Sequence, residues 1–169
     1  MRISDLDNTP LPELKAQLFK CCGSKAWVEK MVTVFPVEDL IDLFEYAEDK
    51  WNECTEEDWR EAFEHHPQIG NVETLHAEDK DSAAWAQSEQ SRVNDASGEL
   101  KQKLADANKL YKEKFGYIFI MNATNKSAEE ILTELMIRLQ NNPETEIEIA
   151  MNEQLGITRI RLEKLLLEE

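Results

Sequence analysis

The chain has 169 residues, about one domain's worth and enough to bury a single solid core. Its formal net charge of −16 supplies no basic face for nucleic-acid phosphates and disfavours an anionic membrane surface, though not a small anionic ligand held by a local arginine. Its cysteines, Cys21, Cys22 and Cys54, are odd in number and show no CxxC or His/Cys spacing, so neither a disulfide framework nor a zinc site is indicated.

In chain order, Pro10 and Pro12 open a helix that runs to about Cys22, with Gly23 as its stop. Ser24 suits the N-cap of KAWVEKMVTVF, which ends before Pro36. VEDLIDLFEYAEDKW sets Leu40, Leu43, Phe44 and Trp51 at helical spacings. TEED, Thr55 to Asp58, fits a capping box for a helix that passes Trp59 and Phe63 and meets EHHPQIG. A polar connector, NVETLHAEDKD, leads to two more helical runs, SAAWAQSEQSRV and GELKQKLADANKLYKEKF from about Ser97, and Gly116 ends the second. YIFIM, Tyr117 to Met121, is apolar and β-branched but has no partner strand, so a buried extended connector over about 117–123 is expected. SAEE caps a helix through Leu139, and Pro143 starts the last helical region, with a break or kink expected at Gly156. No linker or repeat interrupts this pattern, so the expectation is one all-α, multi-helix bundle over 1–169.

No apolar run is long enough to span a bilayer, MRISDLDNTP lacks a signal peptide's apolar region, and LLLEE carries no peroxisomal tripeptide. A reduced, cytoplasmic, soluble domain with no membrane or nucleic-acid partner is therefore expected.

Three places carry residues able to do chemistry. His66 precedes Pro67, which pushes its backbone out of the helical region, so its imidazole is fixed just past a helix end; equally, His65 or His66 suits the negative end of that helix. In WAQSEQ, Trp85, Glu89 and Val93 share a helical stripe with Ala86 beside them, which draws the Glu89 carboxylate toward apolar neighbours; a solvated Glu89–Arg92 pair is the plainer reading. In GITRIRLEKLLLEE, Arg159 aligns with Glu163 as an exposed pair, whereas Arg161 aligns with Ile157 and Leu165. A guanidinium on that core-facing stripe needs an anion, structural or substrate, because leaving it unpaired costs several kcal/mol. The four tryptophans fit a core, and clusters such as EEDWREAFE fit solvated faces. A histidine, a glutamate and an arginine in partly apolar settings suggest acid–base work on a small anion.

The same residues carry a family resemblance. HPQIG, WAQSEQ, FGYIF, RLQN and the late RL around Arg161 occur in order from about Phe19 to Leu166, and the chain resembles the 2-oxo-4-hydroxy-4-carboxy-5-ureidoimidazoline (OHCU) decarboxylases of urate breakdown. The resemblance implies an all-helical, usually dimeric enzyme without metal or organic cofactor, which turns OHCU into (S)-allantoin and CO2. It assigns the catalytic pair to His66 and Glu89, leaving His65 incidental. Substrate contacts fall on Pro67, on Ala86, Gln87, Ser88 and Gln90, on the segment Phe119, Ile120, Met121, Asn122 and Ala123, and on Arg161.

Two positions depart from the family pattern. Ala86 stands where serine is common, and Gln68 stands where arginine is common. A related ureido or imidazoline acid as substrate, or a non-catalytic helical dimer of the same fold, are the alternatives these departures keep open.

Overall fold

The computed structural model describes residues 1–70, 80–94 and 96–167. The described residues form ten α-helices and no strand. They divide into two compact units: Met1–Ala62 with the C-terminal segment from Gln154, and Phe63–Glu153.

The first unit contains α1 (Ile3–Asp7), α2 (Leu11–Cys21), α3 (Lys25–Met31), a 3₁₀ turn at Val32–Val34, α4 (Leu40–Asn52) and most of α5 (Glu56–Glu64). The caps at Ser24 and Thr55 are the expected ones, and Asp39 adds another at the start of α4. Ser24 Oγ accepts the Trp27 N–H at 3.3 Å, and Asp39 accepts the Asp42 N–H at 2.9 Å. Thr55 and Asp58 exchange bonds across the α5 start, at 2.9 Å from the Thr55 N–H and 3.4 Å from the Asp58 N–H. Helix α1 has no counterpart in the sequence reading; its short first turn is held by the Arg2 N–H donating to the Asp5 carboxylate. Trp27 and Trp51 are fully buried, and Trp27 Nε1–H donates to the Ala47 carbonyl at 3.1 Å, so the indole is satisfied inside the core. Trp59 is half-buried, its indole donating to the Trp51 carbonyl at 3.1 Å.

The second unit contains α6 (Lys80–Glu89), α7 (Ser91–Asn94), α8 (Gly98–Phe115), α9 (Ala128–Arg138) and the first part of α10 (Pro143–Leu167). Of the connector expected over 71–81, residues 71–79 lie outside the described residues, and Lys80 and Asp81 belong to α6. The run expected as one helix over 82–93 is divided at Gln90 into α6 and α7. Ser97 and Ser127 cap α8 and α9 through the Leu100 and Glu130 amides, at 3.2 and 3.1 Å. Gly116 ends α8 in the left-handed region, φ 83°, where a side chain would be strained. Lys114, in the last turn of α8, ties that helix to the end of α9, its ammonium donating to the carbonyls of Leu139 and Asn141 at 2.6 and 2.9 Å.

Residues 117–123 are indeed a buried non-helical segment without β pairing. Their core partners are aromatic: Phe63 lies 5.2 Å from Tyr117, and Tyr111 lies 5.2 Å from Phe119, centroid to centroid.

Two expectations on the last helix are corrected. Helix α10 runs through Gly156 without a break, and no described atom stands within 4 Å of where a Cβ would sit. One glycine in a 25-residue helix removes side-chain packing but no backbone hydrogen bond, so the helix continues through it. Arg159 pairs with Glu48 of α4 rather than with Glu163 on its own helix, because a tertiary carboxylate is within reach of the side chain.

Candidate functional site

The chain leaves α5 at Glu64 and turns, with the His66 N–H donating to the Phe63 carbonyl at 3.2 Å. His65 is exposed, His66 half-buried and Pro67 buried, the gradient expected where proline pulls the chain back onto the core. The rest of HPQIG is pinned from two sides. The Ile69 carbonyl accepts from Asn108 Nδ2–H on α8 at 3.1 Å. The Gly70 N–H donates to the Gln90 side-chain oxygen at 3.0 Å. Gly70 has φ 91°, a conformation that glycine adopts without cost.

Gln90 thereby links two of the sequence-predicted motifs, HPQIG and WAQSEQ. It lies at the α6–α7 junction, its N–H bonded to the Ala86 carbonyl and its own carbonyl accepting from the Val93 N–H. Gln90 is 6% exposed, and the bond from Gly70 fixes which end of its carboxamide is the acceptor, leaving the NH2 end as a donor. The stripe argument holds by burial: Trp85, Ala86, Gln90 and Val93 are buried, Glu89 is half-buried, and Gln87 and Ser88 are exposed. Arg92 donates to the Asn125 carbonyl at 2.6 Å, tying α7 to the turn after the extended segment.

The segment Phe119–Ala123 is held at Ile120 and Asn122. The Ile120 carbonyl accepts from Arg138 Nη1–H at 2.8 Å, and the Asn122 N–H donates to the Glu153 carboxylate at 2.9 Å. Asn122 Oδ1 accepts the Thr124 N–H at 3.2 Å, an Asx-type turn that continues to Asn125, at φ 60°.

The network behind that segment went unread in the sequence. Arg138 and Glu146 are 1% and 0% exposed, with Arg138 Nε 2.7 Å from Glu146 Oε1. Tyr111 Oη–H donates to the same oxygen at 2.5 Å, and Asn141 Nδ2–H donates to the other at 3.0 Å. Burial, and then the bond to Glu146, push the Tyr111 phenol far above its ordinary value, so it stays a donor. The signal was present: Arg138 follows Ile131 and Leu135 on the apolar stripe of α9, the test already applied to Glu89 and Arg161.

Arg161 belongs to the first unit and is buried as expected. Its Nη1–H reaches the Lys20 carbonyl at 3.4 Å, at the C-terminal end of α2, where unsatisfied carbonyls favour a cation. Within this unit Thr158, Gln154 and Cys22 form a buried polar patch; the Thr158 hydroxyl donates to the Gln154 carbonyl at 2.9 Å. Burial pushes the Cys22 thiol up to about 12 against the smaller opposing pull of Thr158, and the Cys54 thiol rises to about 11, so both are poor nucleophiles. Among the described residues, no group of three His, Cys, Asp or Glu side chains stands where it could hold a metal ion.

Comparison with known proteins matches residues 7–163 to one family, OHCU decarboxylase. The chain belongs to the OHCU decarboxylase family. It is 37% identical to a solved OHCU decarboxylase crystallised in the presence of (S)-allantoin, covering 90% of this chain and 99% of that one with a TM-score of 0.77. An (S)-allantoin synthase, 17% identical, covers 98% of this chain and 54% of its own, with a TM-score of 0.74, and shares the fold. A uric acid degradation bifunctional protein of Arabidopsis thaliana is 41% identical over 147 residues, 86% of this chain and 45% of the relative. A uric acid degradation bifunctional protein of Bacillus sp. (strain TB-90) is 26% identical over 98% of this chain and 32% of its own length. The chain thus spans less than half the length of these bifunctional relatives. Among the family's motifs, RLQN has a structural content here: its arginine holds the Ile120 carbonyl and its asparagine the Glu146 carboxylate.

Proposed function

We propose that this chain is a decarboxylase of urate breakdown that converts OHCU into (S)-allantoin and CO2. The observation that carries this reading is 37% identity to an OHCU decarboxylase across 99% of that protein's chain. The family's acid–base residues fall on His66 and Glu89, and its anion-binding arginine falls on Arg161.

The substrate contains its own electron sink. Loss of CO2 leaves an electron pair on the hydroxyl-bearing carbon, and the adjacent ring C=N delocalises it, so the reaction calls for no cofactor. The hydroxyl then becomes a carbonyl as its proton leaves, while a proton arrives at the ureido-bearing carbon on one face and sets the S configuration. A further proton from solvent neutralises the ring nitrogen that received the electron pair. His66 is the proton carrier of this scheme, imidazole being the side chain best suited to give and take a proton in acid–base catalysis. Glu89 takes the hydroxyl proton or holds the imidazole in its working state. Arg161 neutralises and orients the substrate, and Gln90 donates its amide N–H. Pro67, Ala86, Gln87, Ser88 and the segment Phe119–Ala123 complete the contacts. The buried flank around Trp85 and Ala86 gives the departing carboxylate an apolar neighbour, which favours neutral CO2 over the anion.

The continuous family match over 7–163 supports reading 1–169 as one domain, and calorimetric unfolding in a single transition would bear it out. Among the described residues, no helix is long and apolar enough to cross a membrane. The resemblance further suggests a cytoplasmic homodimer; light scattering in solution should give twice the 19.6 kDa of one chain.

The decisive experiment uses freshly generated OHCU, which decays spontaneously, with enzyme-free, wild-type and His66→Ala samples followed by circular dichroism of the allantoin formed. Faster appearance of the S enantiomer with wild type alone supports both the reaction and the role of His66. A wild type no faster than the blank overturns it and turns attention to Ala86 and Gln68, and so to a related ureido acid.

A further inference from the structure

We infer that Arg138 is a positioning residue for this reaction, fixing the pocket backbone through the Ile120 carbonyl. The inference rests on the reading of Phe119–Ala123 as substrate-contacting backbone.

An irregular buried segment has no ladder to satisfy its carbonyls, so each must find its own donor. At Ile120 that donor is Arg138 Nη1–H, at 2.8 Å. The same guanidinium lies over the Phe119 ring, 4.4 Å from its centroid, so one rigid fork holds the side chain of one residue and the carbonyl of the next. The fork cannot swing away. Its Nε and Nη2 stand 2.7 and 2.6 Å from Glu146 Oε1, and Glu146 is itself fixed by the Tyr111 hydroxyl and the Asn141 amide.

A fully buried ion pair is a poor device for stability alone, because apolar replacements of like volume are often neutral or better. What an apolar replacement cannot supply is a donor at Ile120. Misplacing a reacting group by about 1 Å costs on the order of a hundredfold in rate, so a backbone wall that only drifts is already damaging.

The test separates folding from positioning. In Arg138→Met/Glu146→Gln neither charge remains buried alone, and the glutamine still accepts from Tyr111. This variant should melt within a few degrees of wild type, yet lose at least tenfold in kcat per folded molecule. A merely structural pair would move the melting temperature and leave kcat and KM at their wild-type values. Should the double variant fail to fold, Arg138→Lys carries the same reading: a single ammonium satisfies Glu146 but cannot also reach Ile120 and cover the Phe119 ring. Wild-type kcat and KM in whichever variant folds overturn the inference, as does failure of both to fold, which makes Arg138 a folding residue. Amide hydrogen exchange over 119–123, read on the same samples, needs no turnover. Faster exchange confined to that segment supports the clamp and unchanged exchange overturns it, even if wild type proves inert toward OHCU and the proposed activity falls.

Discussion

Gln90→Met removes the acceptor that anchors Gly70 while keeping nearly the same side-chain length. The loss is worked from one bond of 3.0 Å between a nearly buried carboxamide and the N–H of an exposed glycine. An orphaned buried donor costs about 1–3 kcal/mol; because water reaches Gly70, the lower end applies, about 1 kcal/mol. In a domain of this size that is a fall of roughly 2–4 °C in Tm. Activity should fall further than stability. The HPQIG loop is loosened next to His66, and the amide donor proposed for the substrate is lost, together on the order of a tenfold or greater drop in kcat/KM. Thermal unfolding and initial rates on fresh OHCU, at a temperature where both proteins are fully folded, give the two numbers. An unchanged Tm would show that the Gly70 bond anchors nothing. A Tm lowered as expected beside an unchanged kcat/KM would show that the anchor does not bear on catalysis.

The two glycines of opposite setting should respond with opposite signs. Gly156→Ala, in an open helix interior, should raise stability by about 0.5–1 kcal/mol in urea titrations, whereas Gly70→Ala, at φ 91°, should lower it by about 1 kcal/mol despite ordinary room beside Leu104. Buried Cys22 should resist thiol reagents at pH 8 in the native protein and react once unfolded. Its raised folded-state value also sets a pH dependence. Between the ordinary 9.0 and about 12, the unfolded chain loses the thiol proton while the folded chain keeps it, so stability falls with rising pH, by at most about 1.4 kcal/mol per unit. Cys22→Ser should flatten that slope, and an identical slope in the variant would contradict the assignment. Ser127→Ala should cost about 1 kcal/mol through loss of the α9 cap, measurable as a shift in the unfolding midpoint.

Local signals carried most of the fold. Caps at Ser24, Thr55 and Ser127 are short-range chemistry and fell where the sequence put them, and the helix expected from about Ser97 begins there with Ser97 as its cap. The same stripe test that singled out Glu89 and Arg161 agrees with their partial and full burial. What failed was long-range or quantitative. The partner of Arg159 is Glu48, far away in the chain, and no helical spacing reveals it. Gly156 was over-read because a glycine lowers helix propensity without cutting the backbone ladder. Arg138 was legible from the stripe it shares with Ile131 and Leu135, but its meeting with Glu146 joins two helices, and its bond to the Ile120 carbonyl depends on an irregular segment. Asn108 is the same case: a polar residue between Leu104 and Tyr111 whose purpose appears only when the Ile69 carbonyl arrives from another part of the chain.

The distribution of indoles makes this chain its own optical instrument. Trp27, Trp51 and Trp59 lie in the first compact unit, and Trp85 is the sole tryptophan between Phe63 and Glu153. Replacing the first three with phenylalanine would leave one emitter, nearly sealed from water and adjacent in sequence to Ala86. Its emission colour and quenching would then follow events at the WAQSEQ motif without any attached dye, including those too brief for a product assay to catch.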